Sequence, residues 1–165
     1  MAYPVFQTAL LGSLLALAAS SDVARHTVPN AVVSALLALG ALAQVLDAGW
    51  SGFASGALAS IVVLALGLPV WIGKRIGGGD LKLAVASAMW VGLARTPTYL
   101  LATAVAGGVL AGLCYALAGA DSRNAVRANA YALHAPRIGG DVARGTVLVP
   151  YGVAIAAGAV FAVCR

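Results

Sequence analysis

Residues 53–72 read FASGALASIVVLALGLPVWI, a run of twenty positions without a single charged side chain. Coiled as a helix, such a run covers ~30 Å, the thickness of a bilayer's hydrocarbon core. The next eight residues are just as informative. Gly73-Lys74-Arg75-Ile76-Gly77-Gly78-Gly79-Asp80 is a basic, glycine-rich turn that ends on an acid. An apolar span that stops at a basic turn reads as a membrane helix reaching a polar surface.

On either side of this stretch, five further apolar runs lie at 4–21, 31–47, 81–95, 98–119 and 147–164. Together they predict an all-α, polytopic membrane protein of about six transmembrane helices, in one domain over residues 1–165. At ~15 residues the run at 81–95 spans only ~22 Å, so it is expected to begin below the membrane surface. Composition agrees. The chain has 165 residues, 62% hydrophobic and 9% charged, with a mean hydropathy of +0.97. A soluble domain carries about 25% charged residues; this chain has too few to cover a water-facing surface.

The basic residues set the expected orientation. Arg25, then Lys74, Arg75 and Lys82, then Arg123, Arg127, Arg137 and Arg144 fall in the first, third and fifth connections, eight of ten in all. The positive-inside rule places those connections in the cytoplasm and both termini outside. Trp50, Trp71 and Trp90 fall at run ends, where an interfacial aromatic belt would hold them. The net charge of +5 points to topology and anionic lipid, not to nucleic acid. Gly52 with Gly56, and Gly108 with Gly112, have the spacing of close helix contacts. In the connection at 120–146, Val126, Ala130 and Leu133 fit either a surface-lying amphipathic helix or a flexible basic loop.

All five acids are aspartates, although glutamate is the better helix former. Asp22 closes the first run in Ser21-Asp22-Val23-Ala24-Arg25-His26-Thr27-Val28-Pro29-Asn30, and Asp80 opens the fourth. The expected topology brings both to cytoplasmic helix ends. Ionisable groups at membrane depth are costly and functional by default. Two facing carboxylates sharing one proton can hydrolyse a peptide bond without metal or cofactor. On helix-end dipoles, Asp80 is expected to be the base at rest and Asp22 the acid. Gly77, Gly78 and Gly79 allow close backbone approach before Asp80. Lys82 either tunes the pair or reaches to lipid headgroups, the second being preferred. Pro29 and Asn30 read as the break and N-cap of the next helix. Asp47, Asp121 and Asp141 are read as ordinary caps or loop residues. His26 and His134 lack metal-ligand spacing, and Cys114 and Cys164 form no CxxC pair, so no metal site is expected.

At these motifs the sequence resembles the type IV prepilin peptidases, Gly-x-Gly-Asp membrane aspartyl proteases, and most closely the short branch that serves Flp (tight-adherence) pili. The resemblance rests on Asp22 followed by Pro29-Asn30, on Gly77-Gly78-Gly79-Asp80-Leu81-Lys82-Leu83, and on Val149-Pro150-Tyr151-Gly152-Val153-Ala154-Ile155, similar to the start of the family's last helix. It implies that Asp22 and Asp80 are the catalytic pair. Gly77, Gly78, Gly79, Lys82, Pro29, Asn30, Pro150, Tyr151 and Gly152 would position loop and substrate. It further implies a bacterial cytoplasmic-membrane enzyme that cuts the basic leader from prepilins or pseudopilins at the cytoplasmic face, beside the pilus assembly machinery. Longer members also N-methylate the new pilin end through an N-terminal domain with paired cysteines. Here the Asp22 helix starts almost at residue 1, so methylation and S-adenosylmethionine use are not expected. Two other readings of the aspartates stay open: a small proton- or ion-coupled transporter, and a membrane assembly subunit with structural acids.

Overall fold

The computed structural model describes residues 5–25, 29–73, 76–117 and 151–164. The connection at 120–146 and Pro150 lie outside them. Among the described residues the chain is all-helical, with no strand. It divides into two compact units, Met1–Gly107 with Pro150–Arg165, and Gly108–Val149. The elements are α1 (Val5–Arg25), α2 (Asn30–Ile72), α3 (Gly78–Val91), a 3₁₀ turn (Leu93–Arg95), α4 (Thr96–Leu117) and α5 (Tyr151–Cys164). The second unit's described part is the end of α4, where Val109, Leu113 and Leu117 are exposed.

α2 merges the two runs expected at 31–47 and 53–72, and it is not straight. Ala48 (φ −139°, ψ 17°) and Gly49 (φ 62°, ψ −148°) leave helical geometry. Gly49 takes a positive φ that a side chain disfavours. The chain folds back there, because a Cβ on Gly52 would press on the Gln44 carbonyl, eight residues earlier. α2 is therefore two arms, residues 30–47 and 50–72.

α3 packs against both arms. Its Trp90 indole N–H donates to the Leu36 carbonyl of the first arm at 2.7 Å, and its ring lies 2.7 Å from where a Gly40 Cβ would sit. From the second arm, Ser60 Oγ donates to the Val85 carbonyl at 3.0 Å. A Cβ on Gly56 would stand 2.6 Å from the Met89 carbonyl. Lipid tails are as apolar as leucine, so close contact at small residues does the packing here, with little help from water exclusion. Gly56 thus makes the expected contact, whereas a Cβ at Gly108 or Gly112 meets no described residue within 4 Å.

This arrangement explains the short fourth helix. Leu81, Leu83 and every residue from Ala86 to Val91 are buried, so the second half of α3 is enclosed by protein and needs little lipid-facing length. It ends at Gly92, whose φ of 75° suits glycine. The carbonyls left over in its last turn need partners. Gln44 Nε2 supplies them, donating to Met89 O at 3.1 Å and Trp90 O at 3.0 Å. Ser55 Oγ accepts the Leu93 N–H at 3.0 Å.

Two sequence expectations need correction. Trp50 (79% exposed) and Trp71 (46%) suit an interfacial belt, but Trp90 is 1% exposed. Its indole is held inside by the Leu36 carbonyl and the space above Gly40. Asn30 is not the N-cap of α2: Pro29 holds that position in extended geometry, and its carbonyl accepts the Val32 and Val33 N–H groups.

α5 lies against α1 and α3. One end of this unit collects the last turn of α1, both ends of α2, and the starts of α3 and α5. The opposite end holds the Ala48–Gly49 reversal and the 3₁₀ turn, with Gln7 Nε2 on Asp47 Oδ1 at 3.3 Å. Leu46, Leu66, Ile72 and Leu101 are exposed despite their apolarity. Asn30–Ile72 and Leu93–Leu117 are apolar and long enough to cross a membrane.

Replacing Gln44 by leucine strands the Met89 and Trp90 carbonyls in an apolar site. The expected cost is about 1–3 kcal/mol, seen as a lower thermal midpoint in detergent. Trp50→Leu, on an exposed position, should leave that midpoint nearly unchanged.

Candidate active site

Asp22 lies in the last turn of α1. Leu11, Leu15, Ala18 and Asp22 succeed one another at helical spacing along a single buried stripe. The carboxylate therefore points into protein, and Asp22 is only 7% exposed. The matching stripe on α5 is Gly152, Ile155, Ala159 and Ala162, all buried. Where the stripes meet, the Gly152 N–H donates to Asp22 Oδ2 at 2.8 Å. Asp22 thus lies at the start of α5 as well as the end of α1. The sequence alone shows only the latter of these two neighbourhoods.

Asp80 lies in the first turn of α3. Gly77 is the N-cap, with φ −70° and ψ 146°, and its backbone hydrogen-bonds the Asp80 side chain. This is the half of a capping box in which an acid three residues into a helix reaches back to the N-cap. A Cβ on Gly77 would stand 3.0 Å from Asp80 Oδ2, and one on Gly78 3.2 Å from the Trp71 indole nitrogen. Gly79 continues the turn to Asp80. Asp80, Leu83, Ser87 and Trp90 share one face, so Asp80 also looks inward. Asp22 and Asp80 therefore face inward from the end of α1 and the start of α3, at the same end of the helices.

Around Asp80 is a cavity of about 230 Å³, lined mainly by apolar groups including Val63, Leu66, Leu100, Tyr151 and Ile155. Tyr151, the first residue of α5, lays its ring within 2.7 Å of where a Gly107 Cβ would be. The dipeptide Tyr151-Gly152 therefore serves both acids, bordering the Asp80 cavity with one residue and bonding Asp22 with the other.

The remaining motif residues stand at the same end. Lys82 Nζ donates to Asn30 Oδ1 at 3.3 Å across exposed surface, tying the start of α3 to the start of α2. Pro29 precedes that bond on an exposed position. A second apolar groove of about 330 Å³ runs between the arms of α2 and α3, with Trp71, Gly78 and Lys82 in its lining.

A family model, that of the Type IV leader peptidase family, matches residues 9–112, a stretch containing both aspartates. The chain belongs to that family. No curated protein and no solved structure matches it. Membership makes this a leader peptidase of the prepilin type, a hydrolase acting on peptide bonds with prepilins as the implied substrates. The family and the apolar helices together point to a membrane protein. The matched stretch ends before α5.

Two members of this leader peptidase's framework escape a reading by motif. Gln44 is an uncharged amide within an apolar run, and its signal was its isolation there. Tyr99, which donates to the Ala84 carbonyl at 3.2 Å and borders the Asp80 cavity, looks in sequence like one more apolar-run aromatic.

The exposed Lys82–Asn30 bond should couple only weakly. A double-mutant cycle of Lys82→Met and Asn30→Ala, read by thermal unfolding in detergent, is expected to give about 0.5–1.5 kcal/mol.

Proposed function

We propose that this leader peptidase is a membrane aspartic endopeptidase that removes the leader of Flp-type prepilins at the cytoplasmic face of the bacterial inner membrane, with Asp22 and Asp80 as its catalytic pair. One observation carries the reading. Two acids remote in sequence converge on one end of the helix assembly, Asp22 buried against Gly152 and Asp80 bordering the apolar cavity that Tyr151 also lines.

The chemistry needs one carboxylate ionised and the other protonated, a state that two facing acids favour because like charges close together resist joint ionisation. The ionised partner removes a proton from water as the water oxygen bonds to the scissile carbonyl carbon. The protonated partner donates to the carbonyl oxygen. The tetrahedral adduct collapses as the amide nitrogen takes up the proton removed from water and the C–N bond breaks, while an adduct hydroxyl returns its proton to the other carboxylate as the C=O re-forms, so the pair regains its starting state. Metal and cofactor have no step in this cycle.

Six spans, with both termini outside, put this end in the cytoplasm. That orientation suits a substrate with a basic leader in the cytoplasm and an apolar stem in the membrane. The charges of Arg25, Lys74 and Arg75 in the connections near the two acids support it. Positioning of the scissile bond against the pair would supply several kcal/mol of the barrier reduction. The family match favours this reading over ion or proton transport by the same acids.

Co-expression with a candidate prepilin tests it. Asp22→Ala and Asp80→Ala should each reduce leader removal by about 10²–10⁴-fold, while both variants still accumulate in the membrane. Undiminished processing in both would end the dyad reading.

A further inference from the structure

We propose that Gly152 is a positioning residue for the reaction: its amide N–H aims the Asp22 carboxylate, and its lack of a side chain gives that carboxylate its place at the start of α5. The inference rests on Asp22 being catalytic, and it extends the site to a helix beyond the stretch that the family model matches.

Two consequences of one close contact meet at Gly152. The first is the 2.8 Å bond from its N–H to Asp22 Oδ2, joining residues 130 apart in sequence within buried surroundings. The second is steric. A Cβ built on Gly152 would stand 2.8 Å from Asp22 Oδ2 and 3.1 Å from both Cβ and Cγ of Asp22. Any side chain must therefore displace the aspartate, because three of its atoms surround the position and α5 itself is packed on α1. No helical geometry at Gly152 demands glycine, since its φ is not positive. The aspartate is what requires it.

The bond also fixes one of the two carboxylate oxygens. Asp22 is nine-tenths buried, so water does not substitute freely for a lost donor. With Oδ2 held by the amide, Oδ1 is the oxygen left to face the reacting water. A carboxylate free to rotate would divide its time among orientations, and misplacement by about 1 Å can cost as much as 10²-fold in rate. Tyr151 ties the same segment to the Asp80 cavity. The start of α5 thereby sets the Asp22 oxygens relative to Asp80.

Three variants of the full chain, purified in detergent and assayed on a synthetic prepilin, test this. Gly152→Ala adds the clashing methyl. An amide-to-ester replacement at Gly152 deletes the N–H and adds no atom. Ala157→Gly, at an exposed position of α5, weakens the helix through backbone freedom alone. The first two should lower kcat per folded enzyme about ten- to hundred-fold with KM held within about twofold. They should also shift the infrared carboxyl band that disappears in Asp22→Asn. Ala157→Gly should leave kcat per folded enzyme and the band unchanged. If Gly152→Ala does not fold, the ester decides. An ester variant with wild-type kcat and an unmoved band overturns the proposal. Asp22→Asn separates the two levels: activity retained there defeats the dyad itself, whereas activity lost there but kept in both Gly152 variants defeats only the role of Gly152.

Discussion

In a medium without water, every backbone N–H and C=O that a helix end exposes must find a partner inside the protein. That requirement is sharpest for α3, a 14-residue helix whose second half is enclosed by protein. At one end Gln44 takes its last carbonyls, and Ser55 takes the N–H just beyond. At the other, Gly77 caps its start and Asp80 reaches back to the cap. The reversal of α2 at Ala48–Gly49 answers the same need, because two arms must flank α3 to bring Gln44, Ser55 and Ser60 within reach. Asp80 is thus part of the solution to a structural problem as well as a candidate for chemistry.

Much of this was legible in the residues. The apolar runs located the helices to within a few positions, and Asp22 and Asp80 stood out as acids at the ends of such runs. The topology placed both acids at one end because each closes or opens a span on the same side. Less legible were features that depend on contact between distant segments. Trp90 looked interfacial because run ends are where belts lie; only the neighbouring Leu36 carbonyl and the gap above Gly40 explain its burial. Asn30 looked like a cap because of its residue type, yet Pro29 takes that position and Asn30 meets Lys82 instead. For Asp22, the sequence shows the dipole of its own helix but not the helix start that α5 presents to it.

Both acids consequently meet the backbone in the same manner. Asp22 takes an amide from the start of α5, and Asp80 takes one from the start of its own helix. Helix N-termini present N–H groups free of internal partners, so the fold converts two helix starts into holders for two carboxylates. Small residues make this possible: glycine at 77 and 152 leaves room for the side chains they hold. The apolar cavity beside Asp80 adds a sheltered space in which electrostatic effects act with little screening.

All of this requires that the side chains at positions 22 and 80 share one end and one small volume. Pairing Asp22→Cys with Asp80→Cys, in a chain carrying Cys114→Ser and Cys164→Ser, measures it directly in native membranes through a short bifunctional maleimide. An efficient intramolecular cross-link is expected for this pair, and none when Asp22→Cys is combined with Arg95→Cys at the opposite end. A cross-link absent from the first pair, with each cysteine labelled only from a different side of the membrane, would contradict it.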